Sequence, residues 1–214
     1  RFGTNIVRLI SKETISQLAI SKEYPWIQQE KIEGKYLCNY AVIKNGVVID
    51  HVVYIPRYLV NNAAATYFEY IHNAQCEKFI KKFAVDNQFT GQVAFDFIEN
   101  DTGLYVIECN PRATSGLHLI SSRISISTEG IASNYAEPHK TCRVGGSILF
   151  MFGPHSLVKG TFKNLISDYR KSRDVLYDIS AKAQSISFIE LLKFKIKNKL
   201  TFAEATAYDI EYNN

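Results

Sequence analysis

Gly91 to Gly116 reads GQVAFDFIENDTGLYVIECNPRATSG, and this stretch decides the fold. Two apolar runs, Gln92–Glu99 and Leu104–Cys109, flank Asp101-Thr102-Gly103. A three-residue loop ending in Gly predicts a β-hairpin with Gly in the left-handed conformation. With Asn100 set opposite Leu104, Asp96 falls opposite Glu108, and directly opposed side chains on one sheet face lie about 5 Å apart. The period of two along a strand puts Asn110 on the same face as Glu108. Two opposed carboxylates repel each other, so the pairing makes physical sense with a hard cation between them, held by oxygens of Asp96, Glu108 and Asn110. Mg²⁺ is the natural ion, with Mn²⁺ the alternative.

A Mg²⁺ site with so few protein ligands completes its octahedron with water and phosphate oxygens, which suggests a phosphate-handling enzyme. Arg112 follows Asn110 by two residues on a loop that Pro111 stiffens. There its guanidinium can neutralise charge on a transferred phosphoryl or acyl-phosphate group. The competing reading is an exposed acidic hairpin with an Arg that serves solubility.

Asp96, followed twelve residues later by Glu108-Cys109-Asn110-Pro111-Arg112, resembles the metal-binding end of the ATP-grasp superfamily. The E-x-N-P-R form looks like the carbamoyl-phosphate synthase and biotin carboxylase branch. The resemblance implies that Asp96, Glu108 and Asn110 hold Mg²⁺ and that Arg112 is catalytic. It further implies ATP as cofactor and a ligase that activates a carboxylate or bicarbonate as an acyl phosphate for attack by an amine. The alternative is a non-catalytic nucleotide-binding module, or half of a site completed by a missing N-terminal lobe or a partner chain.

The 214 residues are 46% hydrophobic and 21% charged with a formal net charge of +4, an ordinary globular composition. The modest and dispersed basic excess suits an acidic nucleotide and gives no reason to invoke nucleic acid. No stretch reads as a membrane span. Cys38, Cys76, Cys109 and Cys142 show neither C-x-x-C nor metal spacing, so free thiols in a reducing compartment are expected, with the cytoplasm as default.

The fold expected is α+β: an ATP-grasp-like antiparallel sheet flanked by helices, with a mainly helical C-terminal extension. Residues 1–28 read as a remnant of the first ATP-grasp subdomain, 29–130 as the nucleotide and metal lobe, and 131–214 as the extension. In the resemblance, a strand bearing a phosphate-binding Lys and a Gly loop would stand at or before Arg1-Phe2-Gly3-Thr4, so the chain reads as a C-terminal portion without its N-terminal lobe. A homo-oligomer is the other expected partner.

Along the chain, Ser11 or Thr14 predicts a helix cap with the helix reaching Lys22. Trp26 to Gly34 alternates loosely and reads as a strand. In the resemblance it is the adenine hinge, with Gln29, Glu30 and Ile32 lining the pocket and Tyr36 standing where a ribose-binding acid is common. Leu37–Ile43 and Val47–Ile55 around Asn45-Gly46 predict a second hairpin. Arg57, at the end of that hairpin, is a candidate contact to phosphate or to the acid substrate, with a solvated Arg as the competing reading. Thr66 to Ala84 has the spacing of an amphipathic helix, and Leu117–Ile126 reads as another whose N-terminal amides favour anions. His118 fits a core or supporting position better than an acid–base one. Ser133 to Gly146 reads as loop, and Lys159–Arg173 and Ser185–Lys199 as helices, the latter with a basic flank.

Overall fold

The computed structural model describes residues 21–23, 29–60, 64–127, 130–176, 181–200 and Ala205. The chain divides into two compact units, Arg1–Ile32 and Glu33–Asn214. In the first, the described residues form no helix or strand. The expected strand from Trp26 to Gly34 is therefore corrected over its described part: 29–33 are irregular and Gly34 is a bend. Glu30-Lys31-Ile32-Glu33 offers one apolar side chain among three charges, too little to bury a strand face. Trp26, and the helix expected to end at Lys22 for all but its last two residues, lie outside the described residues.

The second unit is mixed α+β. Its elements run β1 Lys35–Lys44, β2 Val47–Val60, β3 Ala64–Ile71, α1 Ala74–Asn87, β4 Gly91–Asn100, β5 Gly103–Asn110, α2 Leu117–Ile120, β6 Ile124–Ser127, β7 Gly130–Ser133, β8 Thr141–Arg143, α3 Ser147–Val158, α4 Phe162–Lys171, β9 Arg173–Asp174 and α5 Ala181–Asn198. Seven strands form one sheet in the order β5-β4-β1-β2-β3-β8-β9, antiparallel except for β8 with β9. β6 and β7 make a separate two-stranded hairpin.

The β1–β2 hairpin closes as its Asn-Gly pair predicts: Asn45 (φ +49) and Gly46 (φ +76) both take positive φ, and Lys44 faces Val47. Thr66 to Ala84 is split, because Ala64–Ile71 is a strand and the helix starts only at Ala74. Tyr67, Phe68, Tyr70 and Ile71 favour an extended chain. Asn73 then caps α1, its side chain accepting from the Cys76 amide at 2.9 Å. Left-handed Gln88 ends the helix.

Alternation along β1 builds a core on each face of the sheet. Leu37, Ala41 and Ile43 pack with Val93, Phe95 and Phe97 beneath Cys76, Ile80 and Ala84 of α1. Cys38, Tyr40 and Val42 pack on the other face with Val52, Tyr54, Phe68 and Ala94 against Leu119, Ile120 and Cys142. Each fully buried Leu, Ile or Phe contributes about 1.5–3 kcal/mol. At the β3 end, Tyr67 joins Ile148 of α3 and Leu165 of α4 in a third cluster.

The helix expected over Leu117–Ile126 is also shorter, four residues followed by β6. Ile124-Ser125-Ile126-Ser127 has the period of a strand, and buried Arg123 anchors the turn before it through Asp50. Ser133–Gly146, expected as loop, holds the end of β7 and all of β8. No helix of the described residues is long and apolar enough to cross a membrane.

Candidate functional site

Asp96 on β4 and Glu108 on β5 are register partners. The register reaches them by an unexpected route. Asn100 faces Gly103 rather than Leu104, because its side-chain oxygen accepts from the Thr102 amide, the Thr102 hydroxyl and the Gly103 amide at 3.0, 2.7 and 3.2 Å and tightens the turn. Between Phe97↔Val106 and Asp96↔Glu108 the pairing then skips Ile107, a β-bulge that restores the offset. Without that extra residue Ile107 would stand opposite Asp96 and Glu108 would turn to the other face.

Asn110 faces Ala94, whose side chain belongs to the same sheet face as Cys38 and therefore as Asp96. Asp96, Glu108 and Asn110 thus share one face near the β5 edge. Asp96 is half-buried and accepts a hydrogen bond from Tyr36 Oη on Oδ2 at 2.7 Å. Burial, and after it Cys38 and Asp96, holds the Tyr36 hydroxyl well above the ordinary phenol range, so it stays a donor. Burial, followed by Asp96, likewise raises the Cys38 thiol. Glu108 is exposed and makes no hydrogen bond or ion pair among the described residues.

Arg112 is exposed and folds back on Asn110. Its amide donates to the Asn110 carbonyl at 2.8 Å, and Nη2 donates to Asn110 Oδ1 at 3.4 Å. The guanidinium therefore shares the oxygen that a cation would use. Past it, Gly116 lies flat on the sheet: an added Cβ would stand 2.4 Å from Tyr40 Cβ and 2.9 Å from Tyr54 Cε1. The amides of Leu117, His118 and Leu119 donate to the carbonyls of Thr114, Ser115 and Gly116. The start of α2 is thus no ready anion cradle, contrary to the expectation from sequence.

The donor set fits a hard cation in its chemistry, two carboxylates and one amide oxygen, as a Mg²⁺ site of one or two carboxylates requires. Among the described residues, no group of three or more His, Cys, Asp or Glu side chains is placed to hold a metal. Any ion at the hairpin would therefore depend on Asn110 and on ligands from outside the chain.

Gln29, Glu30 and Ile32 belong to the first unit, the first two exposed and Ile32 half-buried. Arg57 follows Val53 and Ile55 along β2, on the sheet face opposite Asp96. Its guanidinium is held by Asp168 at 2.7 Å and Glu69 at 3.1 Å, and lies 5.5 and 5.3 Å from the ring centroids of Tyr58 and Tyr67. His118 is half-buried and stacks on Phe68, and burial, then Arg173, lowers its pKa. All four cysteines are free thiols; Cys109 is exposed and the others are buried.

Sequence reading missed a buried polar group. Asp50 accepts from Arg123 Nη2 at 2.7 Å, from Ser133 Oγ at 2.6 Å and from the His51 amide at 2.7 Å. It ties the β6–β7 hairpin to β2. A pocket of about 290 Å³ beside it is lined by residues that include His51, His72, Glu77, Lys81 and Arg123, and by none of the hairpin ligands. Burial pushes the His51 imidazole down to about 4. Its two side-chain partners, Arg123 and Ser133, lie 73 and 83 residues away from Asp50, and no local motif marks the group.

No protein-family model matches the sequence, and no curated protein matches it. Among solved structures, phosphoribosylglycinamide synthetase from Anaerococcus prevotii is similar at 20% identity and a TM-score of 0.36, over 44% of this chain and 26% of that one. An ADP complex of N5-carboxyaminoimidazole ribonucleotide synthetase is similar at 13% identity and a TM-score of 0.39, over 63% and 39%. The biotin carboxylase domain of 2-oxoglutarate carboxylase from Hydrogenobacter thermophilus, with MgADP, ADP and bicarbonate, is similar at 16% identity and a TM-score of 0.36, over 48% and 26%. These are distant structural similarities to ATP-grasp enzymes over part of the chain. The stretch aligned spans about a quarter to two-fifths of their length.

Proposed function

We propose that the chain is part of an ATP- and Mg²⁺-dependent ligase of the ATP-grasp type that activates a carboxylate or bicarbonate for attack by an amine. The observation that carries this reading is the opposition of Asp96 and Glu108, with Asn110 on the same face and Arg112 held against it. In the proposal, Asp96, Glu108 and Asn110 would hold the cation, which supplies charge neutralisation for a nucleotide phosphate. Arg112, exposed and already beside Asn110, would move onto the transferred group and stabilise its developing charge. Gln29, Glu30 and Ile32 are proposed to contact the nucleotide base. Arg57 would have to leave Glu69 and Asp168 to reach a phosphate, which makes it the weakest member of the set.

The reading is tested by ADP release from Mg-ATP across a panel of small acids, with bicarbonate, and amines. Turnover that requires both an acid and Arg112 supports it, and no turnover with any pair under conditions of nucleotide binding counts against it. A second reading is a nucleotide-binding module completed by another lobe or partner chain. What favours it is Arg57, whose double ion pair removes one of the two candidate phosphate cations. Complementation with an ATP-grasp N-terminal lobe, restoring turnover, distinguishes the two.

A further inference from the structure

This inference rests on the reading of Asp96, Glu108 and Asn110 as cation ligands and concerns the residue beside them. Asp96 stands in a row across three strands. Cys38 of β1 is its register partner on one side and Glu108 of β5 on the other. Tyr36, two residues before Cys38 and so on the same face, reaches diagonally and donates its hydroxyl to Asp96 Oδ2 at 2.7 Å. Both strands are paired at this point, Tyr36 with Ile98 and Cys38 with Asp96, so the backbone that carries the hydroxyl is fixed. A phenol donates a single proton, and the carboxylate oxygen that accepts it has less to offer an ion. Tyr36 is 37% exposed, so its value to the core is small, and its hydroxyl is directed to Asp96.

We infer that Tyr36 is a positioning residue that makes Asp96 a one-oxygen ligand and so biases the site toward Mg²⁺ over Ca²⁺. With Oδ2 committed to Tyr36, Oδ1 is the oxygen left for an ion shared with Glu108. Mg²⁺ demands near-ideal octahedral geometry at short range, is held through one or two carboxylates and keeps several waters. Ca²⁺ takes six to eight oxygens and uses carboxylates bidentately with ease. Holding one oxygen away from the ion therefore costs Ca²⁺ a ligand and costs Mg²⁺ little. Hydrogen-bond partners of metal-binding carboxylates commonly set affinity by 10–100-fold.

The test is Mn²⁺ binding to the full chain, followed by electron paramagnetic resonance, with displacement by Mg²⁺ and by Ca²⁺. Tyr36→Phe is compared with wild type and with Tyr105→Phe, a β5 tyrosine whose hydroxyl lies against Thr102. Tyr36→Leu serves as a second variant lacking the hydroxyl, and circular dichroism verifies folding. The expected result is a Mg²⁺-over-Ca²⁺ preference that falls about tenfold in both Tyr36 variants and is unmoved in Tyr105→Phe. A preference equal to wild type in the Tyr36 variants, even with both affinities lowered, overturns the inference and leaves the cation reading standing. Wild-type protein that binds none of the three cations overturns the cation reading and the inference with it.

Discussion

Asp96 and Glu108 face each other because the ladder skips Ile107, which bulges between Val106 and Glu108. The turn at Asn100 shifts the hairpin by one residue, and the bulge at Ile107 shifts it back. Since the side-chain period of a strand is two, an odd number of uncompensated shifts would place the carboxylates on opposite faces. Deleting Ile107 joins Val106 directly to Glu108 and leaves the pair opposed in a regular ladder. The expected outcome is a folded protein that retains its cation affinity, whereas inserting one alanine between Glu108 and Cys109 displaces Asn110 and weakens binding. Cation titration of both variants checks this.

Arg112 is exposed and contributes no buried contact, so Arg112→Ala is expected to leave stability within about 0.5 kcal/mol of wild type. If it stabilises charge on the transferred group, kcat falls by about 10²–10³ with nucleotide affinity little changed. Steady-state kinetics beside a thermal melt separate these effects.

The Asp50–Arg123 pair is buried, with side-chain exposures of 1% and 9%. Removing one partner strands the other charge away from water. Arg123→Met is expected to destabilise by about 3–5 kcal/mol, and Asp50→Leu in the same chain to recover part of that loss. Urea unfolding of the two variants measures it.

Gly116 has no room for a side chain against Tyr40 and Tyr54. Gly116→Ala is expected to cost about 1–3 kcal/mol, because Tyr40 Cβ is fixed to β1 and the loop itself must move away from the sheet. Because Gly116 closes the loop that carries Arg112, the same variant is expected to lower turnover more than its stability loss explains. Activity measured well below the melting temperature tests the second part.

His51 supplies a pH dependence. Burial depresses its folded-state pKa to about 4, against 6.5 for a free imidazole. Between those values the unfolded chain binds the proton and the folded chain does not, so stability rises with pH through that window and is lost as pH falls from about 6.5 toward 4. Glu77 opposes the shift and Lys81, Arg123 and His72 reinforce it. In His51→Gln the slope of unfolding free energy with pH is expected to flatten in that window, as urea unfolding at several pH values would show.

Much of the sheet was legible because its hairpins are local. Asn45-Gly46 fixed one turn, and the apolar runs around Asp101-Thr102-Gly103 located the other. The opposition of Asp96 and Glu108 follows from sequence even though the turn register differs by one residue, because the bulge at Ile107 cancels the difference. Tyr67, Phe68, Tyr70 and Ile71 fit the helical spacing of the following segment as well as a strand, and only pairing of β3 with β2 and β8 decides between them. Leu117–Ile126 failed for the reverse reason: Arg123, held by Asp50 73 residues away, anchors the chain where the helix would continue. Sequence puts Arg57 at a strand end, whereas β2 runs on to Val60, and its face depends on parity counted from a core that sequence does not display. Tyr36 departs from the acid that the resemblance implies at its position, and its bond to Asp96 depends on β1 lying beside β4.

The central claim is that Asp96 and Glu108 form a working Mg-nucleotide site, and isothermal titration with a non-hydrolysable ATP analogue tests it most directly. Wild-type chain and an Asp96→Asn, Glu108→Gln double variant are titrated with and without Mg²⁺. The account predicts binding that requires Mg²⁺ in the wild type and is lost in a double variant that still melts cooperatively. Nucleotide binding of equal strength in the variant, or binding indifferent to Mg²⁺, would contradict it.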